Sequence, residues 1–300
     1  MNPNNNSKNP LHGLWALTNR ELKKWYKNPI LFFMTIIQPI IWMGLFGKAM
    51  NISAIFTSNP VTLPPLTNPL TPQQQLELAQ ALSNYTTKMM ENTFGTADYF
   101  SFMSVGILSF VVMFTTMFSG MSIVWDRRLG FLNKVLSTPV ARGAILMSKV
   151  FAAVIRSLAQ AAIILGFAFA LGLKVGPDFT PLNLLGVFSA LFLISIGLSS
   201  IFILIAIRST RWETQMAVMN LLNMPLLFAS NALFPTSLMP DWLQAISKIN
   251  PITYATDATR QLILYPINMQ QLLIDFTYLG IFATVFSTIG ILLSWRYLSK

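Results

Sequence analysis

The chain has 300 residues, of which 54% are hydrophobic and only 10% are charged. Because about a quarter of the residues in soluble proteins are charged, this composition excludes an ordinary soluble domain and predicts an integral membrane protein. The net charge of +10 is explained by loops that lie next to anionic lipid, and no basic patch with interleaved aromatic residues predicts a nucleic-acid partner.

The N-terminal part of the sequence predicts a tail followed by a surface helix. Residues 1–10 are rich in Asn and Pro, which predicts disorder, and they lack the basic-then-apolar order of a signal peptide. Residues 11–28 predict an amphipathic helix at the membrane interface. Its apolar face contains Leu11, Leu14, Thr18, Leu22 and Trp25. The alternative is a basic flank of the first membrane span without a fixed helix.

Six apolar runs are long enough to cross a bilayer, which requires about 17 to 25 residues. They are Ile30–Phe46, Phe100–Val124, Val150–Leu173, Leu182–Ile207, Gln215–Phe234 and Leu272–Leu293. The fifth run is more polar than the others because it contains several Asn and Ser residues. Residues 29–300 are therefore predicted to form one transmembrane domain with six spans.

The distribution of Lys and Arg predicts the orientation of these spans. The loop 125–149 contains five basic residues and one acid, and short loops rich in Lys and Arg are not translocated. We therefore expect this loop and both termini in the cytoplasm, with the segments 48–98 and 235–264 outside, in a multi-pass protein of the cell membrane. A helical piece is expected at Pro72–Met90. The basic residues that this arrangement leaves outside are Lys48, Lys88, Lys174, Lys248 and Arg260.

The loop 125–149 also has the pattern of a surface helix. If residues 126–137 are helical, Leu129, Leu132 and Leu136 form one apolar edge, and Pro139 ends the helix. Such a helix can dock in a groove of a partner protein or lie on lipid head groups. In the alternative interpretation, the loop only determines topology and its leucines face lipid.

The segment 235–264 is too polar to cross a membrane fully and too apolar to be a free loop. Backbone that enters a membrane without crossing it must be shielded by protein or line a cavity. The segment therefore predicts a helical hairpin at the outer face. A long surface loop with two short amphipathic helices is the alternative.

The sequence contains few of the residues from which a catalytic or ion-coupled site is usually built. It has no P-loop motif, no cysteine and a single histidine, His12, so we expect no nucleotide, disulfide, metal or catalytic residue in this chain. Ion-coupled transporters usually place ionisable groups near the midplane of the membrane. Arg156 lies inside a predicted span, where it can snorkel to the interface or pair within the bundle. An ion-coupled transporter and a multispan membrane enzyme remain alternative functions.

Two segments resemble ABC transporter permeases of the type-2 exporter family. In the loop 125–149 the similar residues are Asp126, Arg127, Arg128, Gly130, Leu136, Thr138, Pro139, Val140 and Arg142. In the C-terminal part they are Phe234, Pro235, Pro240, Trp242, Leu243, Asn250, Pro251, Thr253, Tyr254, Asp257 and Arg260. The resemblance covers most of the chain, and the segment 48–98 departs from it.

The resemblance implies an all-α integral membrane fold with six transmembrane helices, an N-terminal interfacial helix, a cytoplasmic coupling helix and an external re-entrant helical hairpin. It also implies a homodimer of permease subunits in membrane lipid, with two copies of an ABC ATPase subunit that bind ATP and Mg. The residues expected to couple the permease to the ATPase are Asp126, Arg127, Arg128, Gly130, Leu132, Leu136, Pro139 and Arg142. Those expected in the external hairpin are Phe234, Pro235, Trp242, Asn250, Pro251, Tyr254 and Arg260.

The expected substrate is a hydrophobic drug, a lipid or a lipid-linked glycan that is moved out of the cell. The Phe- and Met-rich spans suit an apolar or amphipathic substrate. The residues expected along its path are Met113, Phe114, Met117, Asn223, Phe228 and Asn231. Ordinary packing against lipid explains the Phe and Met residues at least as well.

Overall fold

The computed structural model describes residues 13–49, 71–138, 140–209 and 211–297. Within these ranges the chain forms helices and turns and contains no strand, which confirms an all-α fold. The predicted tail 1–10, residues 50–70 of the predicted external segment, and Pro139 lie outside the described residues.

The described residues contain eleven α-helices. They are α1 (Leu14–Tyr26), α2 (Pro29–Trp42), α3 (Pro72–Phe94), α4 (Tyr99–Arg128), α5 (Phe131–Leu136), α6 (Arg142–Ala170), α7 (Asn183–Arg208), α8 (Trp212–Phe228), α9 (Asp241–Ser247), α10 (Pro251–Ile263) and α11 (Met269–Tyr297). A π-helical stretch, Met43–Ala49, continues α2, and a short 3₁₀ turn, Thr236–Leu238, precedes α9.

Five of the six predicted spans are confirmed as stretches long and apolar enough to cross a membrane. These stretches are Phe32–Ala49, Pro72–Arg128, Arg142–Ala170, Asn183–Ile207 and Met269–Leu293. The second of them contains α3 and α4, and α4 corresponds to the predicted span. Length and hydropathy, which the sequence shows directly, are sufficient to find these helices.

The fifth predicted span is shorter than expected. The prediction that it reaches Phe234 is wrong, because α8 ends at Phe228 after 17 residues. At 1.5 Å per residue this helix is about 26 Å long, less than the hydrocarbon core of about 30 Å. The chain then continues through turns up to the 3₁₀ turn before α9.

The N-terminal helix α1 packs against the bundle through one of its sides. Thr18, Glu21 and Trp25 are its buried residues, and they repeat at helical spacing on the side that contacts α6. Thr18 and Trp25 belong to the predicted apolar face. Glu21 does not, and its burial requires partners that neutralise its charge.

The longest helix, α4, lies at the centre of the bundle. It has 30 residues and is buried over most of its length, with α6, α7, α8 and α10 packed around it. Two glycines permit close approach of other backbone segments. A Cβ atom at Gly106 would lie 1.9 Å from the carbonyl oxygen of Ala232, and one at Gly120 would lie 2.4 Å from that of Phe202.

Because α4 is about 45 Å long, it separates two ends of the molecule. The end that carries α1, α5 and the loop between α5 and α6 is called the basic end. The end that carries the C-terminus of α3 with α9 and α10 is called the hairpin end. Phe94 of α3 packs on Tyr99 at the start of α4, whereas Asp126 near its C-terminus contacts α1.

Candidate functional site

The chain turns sharply at the basic end, where α4 is followed by α5. Gly130 has φ +69°, in the left-handed region that glycine adopts without the strain of a side chain. α4 ends at Arg128 and α5 begins at Phe131. The prediction of one helix across residues 126–137 is therefore wrong, because the turn at Gly130 redirects the chain.

One side of the short helix α5 is buried against α1 and α6, and the opposite side is exposed. Leu132 and Val135 are buried against Ile145 of α6, and Leu17 of α1 covers the same cluster. Leu132 is only 5% exposed, whereas Leu129 is 73% exposed. The leucines expected on one edge are thus divided between the interior and the surface.

A buried charge cluster lies behind α5, where α1, α4 and α6 meet. At its centre, the Lys149 ammonium lies 2.6 Å from a carboxylate oxygen of Asp126 and 3.3 Å from one of Glu21. It also donates to the Ser122 hydroxyl at 2.6 Å, and that hydroxyl donates to Glu21 at 2.8 Å. The buried face of α1 is therefore connected directly to α4 and α6.

Two more cations close the cluster toward the surface. The Lys24 ammonium lies 2.9 Å from Glu21 and 2.9 Å from Asp126, and Arg20 pairs with Asp126 at 3.2 Å. The charge cluster, defined as Arg20, Glu21, Lys24, Asp126 and Lys149, therefore contains three cations and two carboxylates. Arg20 also lies 3.2 Å above the ring of Phe131, so that the cluster holds α5 as well.

The surrounding cations keep the Glu21 carboxylate ionised. Burial alone would raise the pKa of Glu21, but the charges of Lys149 and Lys24 together outweigh it and hold the pKa below its usual range. Removing one partner of such a buried ion pair strongly destabilises the folded protein, because the remaining charge stays buried without a partner. Removal of any one buried member should therefore destabilise the contact of α1 with α4 and α6.

The predicted coupling residues occupy different environments at the basic end. Arg127 is directed inward and donates to the carbonyl oxygens of Ile207 and Ser209, at 2.8 and 3.0 Å, near the end of α7. Arg128 is exposed. Asp126 and Leu132 are buried, while Gly130, Leu136 and Arg142 are partly exposed. One terminal nitrogen of Arg142 is buried and has no hydrogen-bond partner in the described part of the chain.

At the hairpin end, Asn250 joins the end of α8 to the start of α10. Its amide nitrogen donates to the carbonyl oxygens of Leu226 and Ala229 at 2.8 and 2.7 Å. Its side-chain oxygen accepts from the backbone N–H of Ile252 at 3.0 Å and caps α10. Pro251 is the first residue of α10, a position that does not need the missing N–H.

Arg260 stabilises the non-helical chain after α8. This side chain is 1% exposed, although the charge distribution assigned it to the outer side. It donates to the carbonyl oxygens of Asn231 and Ala232 at 2.6 and 2.8 Å, and to that of Phe102 at 3.2 Å. The guanidinium also lies 3.5 Å from the centre of the Phe102 ring.

The other predicted hairpin residues are less enclosed. Tyr254 stacks on Tyr278 of α11 with ring centres 3.9 Å apart. Phe234 and Trp242 are 44% and 66% exposed, and Pro235 is partly exposed. The hairpin end thus combines a buried helix, α10, with a small exposed helix, α9.

The residues expected along the substrate path do not share one surface. Met113 and Met117 are buried in the main core, together with Asn223 and Asn231, which are nearly covered. Phe228 is 52% exposed. Among the six, Phe114 lines a cavity, which lies between α2 and α4.

Sequence reasoning missed the charge cluster. It used the lysines and arginines only as a sign of orientation, and it gave no role to Glu21 or Lys149. One signal was available, because Glu21 is the only acid in residues 11–28 and stands about one turn after Thr18 and one turn before Trp25, on the side of the helix that these two residues share.

Comparisons with known proteins agree with one another. The family model described as ABC-2 type transporter matches residues 12–264. A protein of Cyanophora paradoxa, whose name describes it as the transport permease ycf38, is 32% identical over 248 residues, which are 82% of this chain and 72% of that protein. The daunorubicin resistance ABC transporter permease DrrB1 of Streptomyces coeruleorubidus is 26% identical over 167 residues, 56% of this chain and 58% of that protein. A protein of Escherichia coli K12 named as a multidrug ABC transporter permease, YbhR, is 26% identical over 195 residues, 64% of this chain and 52% of that protein.

Proposed function

Because the chain belongs to the ABC-2 type transporter family and is a membrane permease, we propose that it exports a hydrophobic drug, a lipid or a lipid-linked glycan, driven by a separate ATP-hydrolysing subunit. The observation that carries this proposal is the family match, which extends from α1 to α10. The names of DrrB1 and YbhR refer to drug resistance and to multiple drugs, which supports an apolar substrate. The relatives are named as permeases, which favours a transport subunit over a multispan enzyme.

The ATPase subunit contacts the exposed side of the turn and of α5. Arg128, Leu129 and Lys134 are exposed there, and a guanidinium can form bidentate hydrogen bonds with a carboxylate of the partner. Leu136 and Gly130 lie at the edge of this surface. Leu132 and Arg127 support it from behind, since their own contacts are with α1, α6 and α7.

The charge cluster transmits the movement of the ATPase to the membrane helices. Arg20 holds the ring of Phe131 in α5, and Glu21 of the same helix is paired with Lys149 of α6. A displacement of α5 therefore carries α1 and the ends of α4 and α6 as one body, as in other rigid-body transitions. Two ATPase subunits that bind ATP and Mg would act in this way on two permease subunits of a homodimer.

The basic end faces the cytoplasm and the hairpin end faces outward. Arg127, Arg128 and Lys134 at the basic end support this orientation, because loops rich in Lys and Arg stay inside. α9 and α10 form the external hairpin. The burial of α10 and the bonds of Arg260 to free carbonyl groups support re-entry, since backbone at membrane depth must be satisfied by protein.

The proposal is tested by reconstitution. An ABC ATPase subunit from the same genome, chosen first from any whose gene adjoins this one, should be coexpressed with the chain, and the complex placed in proteoliposomes. We expect movement of a fluorescent hydrophobic compound that requires ATP and both subunits. A matched preparation with a hydrolysis-deficient ATPase is the control. Transport by the purified chain alone, without ATP, would refute the proposal.

A further inference from the structure

A cavity of about 320 Å³ opens between α1, α2, α4, α6 and the start of α8. This volume lies in the range of small-molecule sites, about 300 to 1,000 Å³. Its wall is mainly apolar and aromatic, and includes Phe110, Phe114, Phe118, Met121, Trp125 and Trp212. Trp125 and Trp212 contact each other edge to face, with ring centres 4.9 Å apart.

Two side chains on α6 line this cavity, and each has at least one nitrogen without a hydrogen-bond partner among the described residues. Gln160 is 1% exposed, and its amide nitrogen has no hydrogen-bond partner in the described residues. Its side-chain oxygen is already used, because it accepts from the Thr115 hydroxyl. One turn earlier, Arg156 donates through Nε to the carbonyl oxygen of Ala152 at 3.2 Å, and its terminal nitrogens have no partner in the described part of the chain.

The position of Arg156 makes this arrangement costly without a ligand. α6 begins at Arg142, but the predicted span begins at Val150, so Arg156 lies about two turns, or about 9 Å, inside that span. Charged residues at such depth usually face a cavity and mark a pathway or a binding site. Arg156 lines the cavity together with Glu21 and Lys24 and forms no salt bridge among the described residues, so pairing within the bundle is not seen there, while snorkelling to the interface stays a prediction.

The charges around the cavity favour an anion. Glu21 also lines it, but that carboxylate is already bonded to Lys24, Lys149 and Ser122. The charge cluster contains one more cation than carboxylates, and Arg156 adds another positive charge. A negatively charged group would therefore meet two unpartnered donors and a net positive surrounding, while a cationic ligand would be repelled.

We propose that this cavity binds an amphipathic anion, whose acidic group pairs with Arg156 and Gln160 while its apolar part lies against the aromatic wall. The inference rests on the proposed function, since it names the class of substrate that such a permease would accept. A lipid phosphate and a smaller amphipathic acid share this chemistry, and the experiment separates them.

Binding is measured with the purified full chain in phosphatidylcholine nanodiscs, without ATP or ATPase, so that it can fail or succeed independently of transport. The probe is dansyl-labelled undecanoic acid, and its neutral methyl ester is the matched ligand. We expect the chain to bind the acid about tenfold to a hundredfold more tightly than the ester, as a charge-assisted hydrogen bond predicts.

Substitutions then locate the acidic group. Arg156→Gln and Gln160→Leu should weaken binding of the acid and leave the ester unchanged, while Arg156→Lys retains most of the preference. Arg211→Gln removes an exposed cation outside the cavity and should have no effect. If the chain binds acid and ester equally, or if Arg156→Gln changes neither, the proposal is wrong, and the comparison of ligands tests it even if a variant fails to fold.

A second arm identifies the source of the anion. Nanodiscs that contain phosphatidylglycerol are compared with phosphatidylcholine alone. Displacement of the acid by phosphatidylglycerol in the unmodified chain, but not in Arg156→Gln, would assign the cavity to a lipid head group. Undiminished binding of the acid would assign it to a smaller amphipathic acid.

Discussion

The charge cluster gives the most direct test of how the basic end is held together, through the variant Lys149→Met. Lys149 is 5% exposed and contacts both carboxylates of the cluster. Loss of one partner from a buried ion pair costs about 3 to 5 kcal/mol. Arg20 and Lys24 are 31% and 43% exposed and stay paired with Asp126, so we expect the lower limit, about 3 kcal/mol.

Thermal unfolding of the purified chain in detergent, at a fixed scan rate, measures this effect. A loss of about 3 kcal/mol corresponds to a decrease in Tm of about 5 °C for a chain of 300 residues, since the entropy of unfolding is about 2.1 cal/mol/K per residue. Lys23→Met is the matched control, because Lys23 is an exposed lysine of α1 and forms no salt bridge among the described residues. Surface substitutions of this kind usually change stability by less than about 0.5 kcal/mol.

A double variant separates the ion pair from the packing of the lysine chain. Glu21→Gln together with Lys149→Met leaves Asp126 paired with Arg20 and Lys24. We expect this double variant to be more stable than the sum of the single effects predicts, by about 1 to 3 kcal/mol. The reasoning is refuted if Lys149→Met has the same Tm as Lys23→Met. It is also refuted if the loss of stability in the double variant equals the sum of the losses in Glu21→Gln and Lys149→Met.

Three further predictions concern docking, orientation and pH. Arg128→Glu should weaken capture of the ATPase by tens-fold or more, since breaking a buried interfacial charge pair costs about 2 to 5 kcal/mol, while membrane insertion stays normal; unchanged capture would exclude Arg128 from the interface. The chain has no native cysteine, so an impermeant maleimide added to intact cells should label Ser83→Cys and not Ser137→Cys, and the reverse pattern would invert the orientation. Because the pKa of Glu21 is depressed in the folded state, its stabilising effect is complete above the unfolded pKa of about 4.3 and is lost only as pH falls through the lower, folded value. The difference in Tm between the unmodified chain and Glu21→Gln should therefore be constant from pH 7 to pH 5 and shrink below about pH 4, and a difference that has vanished at pH 6 would contradict the assigned pairing.

Local signals in the sequence were sufficient for the long helices. The start of α3 is an example, since Pro72 is its first residue and Thr71 and Gln74 form a reciprocal capping box. The expected piece Pro72–Met90 is confirmed and continues to Phe94. Such signals are contained within a few residues, and the apolar runs need only their own length to be recognised.

The end of α8 shows where local reasoning fails. The apolar pattern continues to Phe234, but the helix ends six residues earlier. The free carbonyl groups of Asn231 and Ala232 are bound by Arg260, which follows them by almost thirty residues. No local pattern predicts that a buried arginine from α10 replaces the missing helical hydrogen bonds.

The same limit applies to the charge cluster. Glu21 and Asp126 are separated by about a hundred residues in the sequence, and each appeared as an isolated acid in a basic segment. Only the packing of α1 against α4 and α6 brings them to the same lysine. The identity of the charged residues was visible in the sequence, but their pairing depended on the tertiary fold.

A single face of α6 connects these features. An isolated helix as short as α5 is not stable in water, so α5 depends on the buried contact of Leu132 with Ile145. Further along the same face of α6 come Lys149 in the charge cluster, then Arg156 and Gln160 at the cavity. If the ATPase docks on α5 and an anion binds at Arg156, both ligands act on one rigid helix. Each must then change the affinity for the other by the same factor, because coupling between two binding sites is reciprocal.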